Sequence, residues 1–306
     1  MYSEKLEEVI SAALADGNLT DQKRNIIMRR AEKEGEDAEE VMMVVESRLL
    51  SQGKVQPKQA TTKSEAEEKA NNDGDFVETV NGVSFKMVKV EGGRFTMFSK
   101  ETTAYIPVKQ QEVILDDYYI CDTVVTQELW KAVMGSNFPE LCFVGDKLPV
   151  NNILWEECYQ FINKLNTLTN KKYHLPSEAQ WEYAAMGGKK SLGFKYAGSD
   201  DINKVGWNCL DLNNKENCEM KPVAQLRPNE LGLYDMSGNC FEFCEDDFDE
   251  EPILIGMKNP ICKSSHKGYK VIRSSSYDYL ECNCGERNYF LEILGRQNGY
   301  GFRIAL

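Results

Sequence analysis

Apolar residues in the first 50 positions recur with the three- and four-residue spacing of α-helices. One apolar stripe covers residues 6–14, a second lies within about 21–33, and a third covers 41–50. Short segments that contain Gly, Asp and Glu separate the stripes and provide helix stop and start signals. The pattern predicts a small all-α module of three short helices over residues 1–50.

The pattern changes twice after this module. Residues 51–75 are rich in Gln, Lys, Thr, Ser, Glu and Asn and offer almost nothing apolar to bury, which predicts a flexible linker. From residue 76 the sequence alternates apolar and polar positions on both sides of Asn81-Gly82, and this dipeptide favours the tight turn of a β-hairpin. A second domain, residues 76–306, is therefore expected to begin with a hairpin.

This second domain combines helical patterns with short strands. Helices are predicted over 126–134, 155–167 and 177–186, and the last of these begins with a Ser-x-x-Gln capping pattern. Much of the remaining sequence is rich in Gly, Asn and Asp, which is typical of loops between short strands. The chain closes with a predicted apolar strand, 301–306, after a run of Tyr, Asp, Asn, Phe and Leu that fits neither a helix nor a strand period. We therefore predict an α+β domain whose final segment has the composition of a contact surface.

Charge, apolar runs and cysteine spacing indicate which partners, compartments and metal sites are improbable for this chain. The chain has 36 Lys and Arg residues against 49 Asp and Glu residues, a formal net charge of −13, so its field repels nucleic-acid backbones and anionic lipid headgroups. The sequence contains neither a run of 18 apolar residues nor a signal-peptide pattern, so we expect a cytoplasmic protein without membrane insertion. Its ten cysteines contain no Cys-x-x-Cys motif. We interpret them as mostly buried thiols rather than as disulfides or a zinc site.

Several sequence blocks occur in a fixed order in the second domain. They are Met87–Met97, Val125–Gly135, Leu148–Trp155, His174–Gly188, Lys221–Val223, Asn229–Glu242 and the terminal Gly301-Phe302-Arg303. Taken in this order, they resemble the formylglycine-generating enzyme and sulfatase-modifying-factor family over about residues 80–306. The resemblance implies a C-type-lectin-like fold for the domain that follows the helical module.

The block around Gly238 contains a candidate metal site. Gly238 allows the backbone to reverse, which would bring Asp235 and Glu242 together, and two carboxylates with free carbonyls suit a hard cation. The family resemblance implies a structural Ca²⁺ site here, with side-chain oxygens from Asp235 and Glu242 and backbone carbonyls from Gly238 and Cys240. The alternative is that both carboxylates accept hydrogen bonds from loop amides, and the sequence leaves the two interpretations open.

The resemblance also bears on catalysis. It implies that the family's enzymes use two cysteines, which bind copper as thiolates and activate dioxygen. Aligned with these enzymes, the chain has Cys284 at the second position but Tyr279 at the first. Cys282 is a poor substitute, because the side chains of a Cys-x-Cys pair on a strand point to opposite faces. We therefore predict no catalytic residues and no bound copper, with a copper-dependent oxidase of a Cys-containing peptide as the alternative.

The tail, which we define as residues 271–306, resembles a second group of proteins with this fold, the variable proteins of diversity-generating retroelements. A Ser-Tyr opening, a central Cys, an Arg and a closing Gly-Phe-Arg match the fixed scaffold of that group, and the intervening runs use residues that adenine-directed mutagenesis yields. We therefore predict a non-catalytic ligand-binding protein whose C-terminal face grips a protein or another macromolecule. The predicted contact residues are Tyr277, Asp278, Tyr279, Leu280, Asn288, Tyr289, Phe290, Leu291, Ile293 and Leu294. Two alternatives remain: an irregular loop layer with scattered aromatics, and an adaptor that recruits partners through its helical module.

Overall fold

The structure, a computed structural model, divides the chain into two units, Met1–Asn71 and Asn72–Leu306. The residues that it describes are 3–14, 23, 27–28, 30–31, 33–36, 41, 44–45, 74–98, 108–135, 139–208, 219–254, 256–264, 268–277, 283–285, 287–291 and 295–306. The predicted linker, residues 51–75, lies outside the described residues except for its last two positions.

The first unit contains helix α1, Glu4–Leu14, and further helical residues between Lys23 and Val45. Apolar positions from all three predicted helices are buried in one cluster. Its buried members are Leu6, Ile10, Ile27, Ala31, Val41 and Val45. The stripes read from the sequence therefore do share a small core, as amphipathic helices must when each buries one face.

The second unit begins with the predicted hairpin. The strands in its first half are β1 (Phe76–Val80), β2 (Val83–Val90), β3 (Gly93–Met97), β4 (Gln111–Leu115) and β5 (Tyr118–Cys121). Strands β1, β2 and β5 form an antiparallel sheet in that order, and β3 pairs with β4. Between β1 and β2, Asn81 and Gly82 have φ angles of 47° and 85°, the left-handed conformation that a two-residue hairpin turn requires.

The three predicted helices are confirmed to within two residues at each end. They are α2 (Gln127–Met134), α3 (Trp155–Thr169) and α4 (Glu178–Ala185), and two short 3₁₀ turns follow at Gly188–Lys190 and Ile202–Lys204. Thr126 caps α2 by accepting from the Leu129 amide. The capping box predicted for α4 is present: Ser177 accepts from the Gln180 amide, and the Gln180 side chain accepts from the Ser177 amide.

The tail contributes three strands to a four-stranded sheet. This sheet is formed by β6 (Phe241–Asp247), β7 (Tyr269–Arg273), β8 (Arg287–Leu291) and β9 (Tyr300–Gly301), in the order β8-β7-β6-β9, with only the β6–β9 pair parallel. Strand β8 lies inside the run that was predicted to be irregular, so that prediction is wrong for residues 287–291. Beyond β9 the chain leaves this sheet, and Ala305 instead makes bridges to Ile120 and His174.

Two apolar clusters cover opposite faces of this four-stranded sheet. Phe243, Ile272 and Phe290 belong to one cluster, whereas Cys244 and Val271 belong to the other, as the alternation of side chains along a strand requires. Six of the seven cysteines in the described part of the chain are buried and Cys142 is exposed, and all seven are free thiols. In the same part of the chain, no helix is long and apolar enough to cross a bilayer.

Candidate functional site at the C-terminal face

Two arginines of the tail are fixed to helix α4 by a buried ion cluster. Arg273, which ends β7, donates to Glu178 Oε1 and Glu182 Oε2 at 3.0 Å each. Arg287, which begins β8, donates to the same Glu178 oxygen at 2.7 Å. Glu178 and Glu182 lie one helical turn apart, so α4 presents both carboxylates on one side. Arg273 also donates to the Cys284 carbonyl at 2.8 Å. Both ends of the β7–β8 connection are therefore held by one helix.

A third arginine, Arg303, fixes the end of the tail. Its guanidinium donates to the two carboxylate oxygens of Glu242 at 2.6 and 2.7 Å, and the Trp181 indole donates to the same carboxylate at 2.7 Å. Both charged side chains are fully buried. Burial by itself would lower the pKa of Arg303, but the Glu242 carboxylate raises that pKa above its ordinary value. Both side chains are therefore charged, and each offsets the cost of burying the charge of the other.

This ion pair occupies the place of the predicted calcium site. The predicted ligands are Asp235, Gly238, Cys240 and Glu242. Both oxygens of Glu242 are bound to Arg303, whose positive charge opposes a cation beside it. The Gly238 carbonyl accepts from the Cys240 amide at 2.9 Å and from the Ser274 hydroxyl at 3.3 Å. Nowhere among the described residues do three or more His, Cys, Asp or Glu side chains converge as a metal site. As placed, Glu242 and the Gly238 carbonyl already have protein partners, which favours the alternative interpretation over a calcium ion.

The hydrogen bonding of Asp235 fits the alternative to a calcium site, in which the carboxylates accept hydrogen bonds from loop amides. Its Oδ2 accepts from the Ala224 amide at 2.8 Å. Its Oδ1 is buried without a hydrogen-bond partner among the described residues. Burial, assisted by the negative charge of Glu242, raises the pKa of Asp235 to about 6. The unpartnered oxygen is the natural place for the proton that the carboxyl takes up.

Asp246 of β6 is another buried carboxyl, and it links the sheet to two other segments. It accepts from the amides of Glu178 and Cys262 at 2.7 Å each. Burial, with the nearby Glu178 carboxylate, raises the pKa of Asp246 to about 7. This carboxyl therefore caps α4 at its first residue and fixes the chain at Cys262 to the sheet.

The cysteine that matches the family's second catalytic position faces the interior. Cys284 is fully buried. Its thiol lies 3.7 Å from the Ala185 carbonyl, and its amide donates to the Lys195 carbonyl at 3.3 Å. Burial raises the pKa of Cys244, on β6, and of Cys240, which directly precedes β6, well above the ordinary value for a thiol. These described thiols are therefore shielded from solvent, whereas a reactive thiol needs access and a lowered pKa.

The predicted contact residues on β8 separate by strand face. Tyr289 is 47% exposed and lies against the rings of Phe248 and Tyr269, with centroid distances of 4.9 and 5.5 Å. Phe290 is buried, and its ring lies 5.1 Å from that of Phe243. The prediction that Phe290 contacts a ligand is wrong, because pairing with β7 turns successive side chains of β8 to opposite faces. Asn288 and Leu291 are half-buried.

The prediction that Tyr277 contacts a ligand is also wrong for the placement seen here, because its side chain is buried. Its ring packs edge-on against Phe143, with a centroid distance of 5.0 Å. The remaining predicted contact residues, Asp278, Tyr279, Leu280, Ile293 and Leu294, lie outside the described residues. So does Cys282, the substitute considered for the first catalytic cysteine.

A loop far away in sequence borders the tail and was missed by sequence reasoning. The thiol of exposed Cys142 is hydrogen-bonded to the side chain of Asn298, and next to it Phe143 packs on Tyr277. Val144 is 81% exposed. The nearest signal in the sequence is a short run of apolar residues between Pro139 and Leu148, which does not reveal that the tail lies beside it.

The whole second unit can be compared with known proteins. Residues 77–306 match the model of the sulfatase-modifying factor enzyme 1-like domain. The chain belongs to this family. One relative of this sulfatase-modifying factor domain is the chaperone protein LppX of Paenibacillus barcinonensis, 32% identical over 53% of this chain and 71% of LppX. Another is the formylglycine-generating enzyme of Streptomyces coelicolor, 39% identical over 24% of this chain and 26% of that enzyme.

Among solved structures, the sulfatase-modifying factor domain is similar to Treponema denticola variable protein 1. That structure is 25% identical, covers 76% of this chain and 98% of its own, and superposes with a TM-score of 0.64. The predicted C-type-lectin-like fold, preceded by a small helical module, is confirmed. The predicted likeness to the variable proteins of diversity-generating retroelements is confirmed as well.

Proposed function

We propose that this chain is a non-catalytic ligand-binding protein that displays its tail on a sulfatase-modifying factor domain. The observation that carries the proposal is the burial of Cys284, whose thiol lies 3.7 Å from the Ala185 carbonyl. The family's enzymes need an accessible thiolate pair at this place. The similarity to a variable protein across almost the whole of that protein supports the same interpretation.

The binding surface that we propose includes two separate places, the exposed part of β8 and the loop that borders the tail at Asn298. Tyr289 offers a half-exposed ring backed by Phe248 and Tyr269, and Val144 is exposed on the bordering loop. Exposed aromatics held by a rigid scaffold give a large contact area at little cost in conformational entropy, as in antibody paratopes. The buried arginines Arg273 and Arg287 provide that rigidity on both sides of the β7–β8 connection. The ligand proposed for this surface is a protein or another macromolecule.

A copper titration separates this proposal from the oxidase alternative. We expect the full chain to bind Cu(I) no more tightly than its Cys284→Ser variant, because a buried thiol must leave its packing to reach an ion. The Cys142→Ser variant is the matched control, since Cys142 is the exposed thiol among the seven cysteines that the structure describes and could bind copper adventitiously. Tight binding that Cys284→Ser abolishes, together with dioxygen consumption in the presence of a Cys-containing peptide, would support the oxidase instead.

A display experiment tests ligand binding directly. Randomising Tyr289 and Leu291, which share the face opposite to Phe290, in the displayed full chain should yield folded binders to a purified test protein such as lysozyme. Randomising exposed residues away from the tail, at Val77 and Leu192, should yield none. Equal yields from the two libraries would count against a dedicated binding face. In the genome, a near-copy of the codons for 271–306 that differs only at adenines, beside a reverse-transcriptase gene, would support the proposal further.

A further inference from the structure

Strand β8 lies at one edge of the four-stranded sheet. It pairs with β7 on one side, in a regular antiparallel register that runs from Tyr269↔Leu291 to Arg273↔Arg287. In an antiparallel ladder, alternate residues turn their N–H and C=O groups to opposite sides of the strand. Within the part of the chain that the structure describes, no strand, isolated bridge or backbone hydrogen bond meets the outer side of β8. The outward N–H and C=O groups therefore have no main-chain partner among these residues.

This edge lacks the features that usually keep a sheet edge from pairing. Proteins protect open edges with prolines, charged side chains, bulges or covering segments. Strand β8 has neither a proline nor a bulge, and its one charged side chain, Arg287, is buried against Glu178. The edge strand β1 differs, because its Glu78 points to the same face as buried Val80 and binds Lys171. By comparison with β1, strand β8 is open to pairing.

The open edge borders an apolar patch whose members are shown to be neighbours. The Tyr289 ring lies 5.5 Å from the Tyr269 ring and 4.9 Å from the Phe248 ring, measured between centroids. Leu291 lies directly opposite Tyr269 in the ladder and two positions from Tyr289, so these three side chains share one face of the sheet. Tyr289 is exposed, and Tyr269 and Leu291 are half-buried. A strand added beside β8 would place every second side chain next to this patch.

Strand β8 is already fixed in the conformation that pairing needs. At its start, Arg287 donates to Glu178 and to the Asp249 carbonyl. Near its end, Phe290 is buried against Phe243. Because β8 is ordered by these contacts and by β7, it would lose little conformational entropy when another strand joins it.

We propose that β8 binds an extended segment of a partner protein, which pairs with the open edge as a fifth strand of this sheet. Main-chain hydrogen bonds supply the affinity, and apolar side chains at alternate positions of the segment contact Tyr289 and Leu291. An extended segment fits because its own N–H and C=O groups repeat at the spacing of those along the edge. A net charge of −13 opposes pairing with a second copy of the chain. This binding mode rests on the function proposed for the tail and narrows its ligand to an extended polypeptide.

Peptides selected against the full chain, from a random 12-residue library displayed on phage, test this binding mode. Each selected peptide is synthesised, and its main-chain amides are methylated one at a time, which removes one N–H donor and keeps every side chain. The peptides are titrated against wild type, Tyr289→Ser and Val77→Ser. Val77→Ser is the matched control, because Val77 is 65% exposed on the edge strand β1. Amide hydrogen exchange with and without peptide locates the binding site.

We expect the selected peptides to carry apolar side chains at alternate positions. Methylation of every second amide should lower the affinity at least about tenfold, whereas methylation of the amides between them should have little effect, since those face away from β8. The affinity should fall several-fold in Tyr289→Ser and stay unchanged in Val77→Ser. Bound peptide should slow amide exchange in residues 287–291 and leave exchange in residues 76–80 unchanged.

Three other results would overturn strand pairing at β8. Peptides that need Tyr289 but tolerate methylation of every amide would do so and leave the function proposed for the tail intact. Peptides that bind Tyr289→Ser as tightly as wild type, or a library without binders, would also do so, and the randomised-tail display experiment then decides the proposed function separately. A dimer of the free chain, detected by sedimentation and dissociated by Tyr289→Ser, would assign the edge to a second copy instead.

Discussion

Phe290 and Tyr289, adjacent residues of β8, offer a direct test of which tail residues are scaffold and which face solvent. Phe290 is 2% exposed and packs between Phe243 and Tyr300, whereas Tyr289 is 47% exposed and touches Phe248 and Tyr269 on one side only. We expect Phe290→Ala to destabilise the second unit much more than Tyr289→Ala. The difference follows from strand geometry, because the two substitutions have similar chemistry and neighbouring positions.

The two alanine substitutions should lower the free energy of unfolding by different amounts. Truncating a fully buried Phe to Ala costs about 3–5 kcal/mol, because the lost transfer free energy is joined by the cost of the cavity. Truncating Tyr289 removes ring contacts worth about 1 kcal/mol, while its exposed half contributes little. In a domain of this size, 1 kcal/mol shifts Tm by about 2–4 °C. The expected losses in Tm are therefore roughly 10 °C for Phe290→Ala and roughly 3 °C for Tyr289→Ala.

Thermal unfolding followed by tryptophan fluorescence is the assay. All four tryptophans, Trp130, Trp155, Trp181 and Trp207, lie in the second unit, so the signal reports this unit without a contribution from the helical module. Phe290→Leu is the control, since it keeps most of the apolar volume and should lose much less than Phe290→Ala. Equal losses in the two alanine variants, or a larger loss in Tyr289→Ala, would refute the assignment of strand faces.

Three further predictions concern the buried charges. Arg303→Met should lower the free energy of unfolding in urea by about 3–5 kcal/mol, since it leaves Glu242 charged and buried. Adding Glu242→Met should recover part of this loss. A double variant whose loss equals the sum of the two single losses would contradict the ion pair. The free energy of unfolding should fall as pH rises from about 4 to about 6, because the pKa of Asp235 is raised in the folded state, so the folded chain keeps this proton to a higher pH than the unfolded chain does. Urea titrations at several pH values should show that the free energy of unfolding depends less on pH in Asp235→Asn. An unchanged pH dependence in that variant would refute this. Tm should be the same in Ca²⁺ and in EGTA, because Arg303 occupies the Glu242 carboxylate; a rise in Tm with Ca²⁺ would show that calcium displaces the guanidinium.

Elements whose signals are local were predictable from the sequence. The hairpin depends on Asn81-Gly82, and helix α4 depends on Ser177 and Gln180, three residues apart, so each signal lies within the element that it specifies. The order of the family blocks was sufficient to indicate the fold, because those blocks encode caps, turns and core positions of one scaffold. Strand β8 was missed, since its side chains follow no clear polar alternation and its conformation is imposed by pairing with β7.

By itself, the sequence indicated the helical module, the hairpin that opens the second unit and the fold of that unit, whereas the loss of the first catalytic cysteine at Tyr279 stays a prediction. Only the tertiary structure showed how the described site residues pack. Glu242 and Arg303 are 61 positions apart, and Cys142 and Asn298 are 156 apart. No local pattern encodes such pairs, because they form when strands and loops from distant parts of the chain pack together. Whether a carboxylate binds a cation or a guanidinium, and whether an aromatic residue faces solvent or the core, depends on that packing.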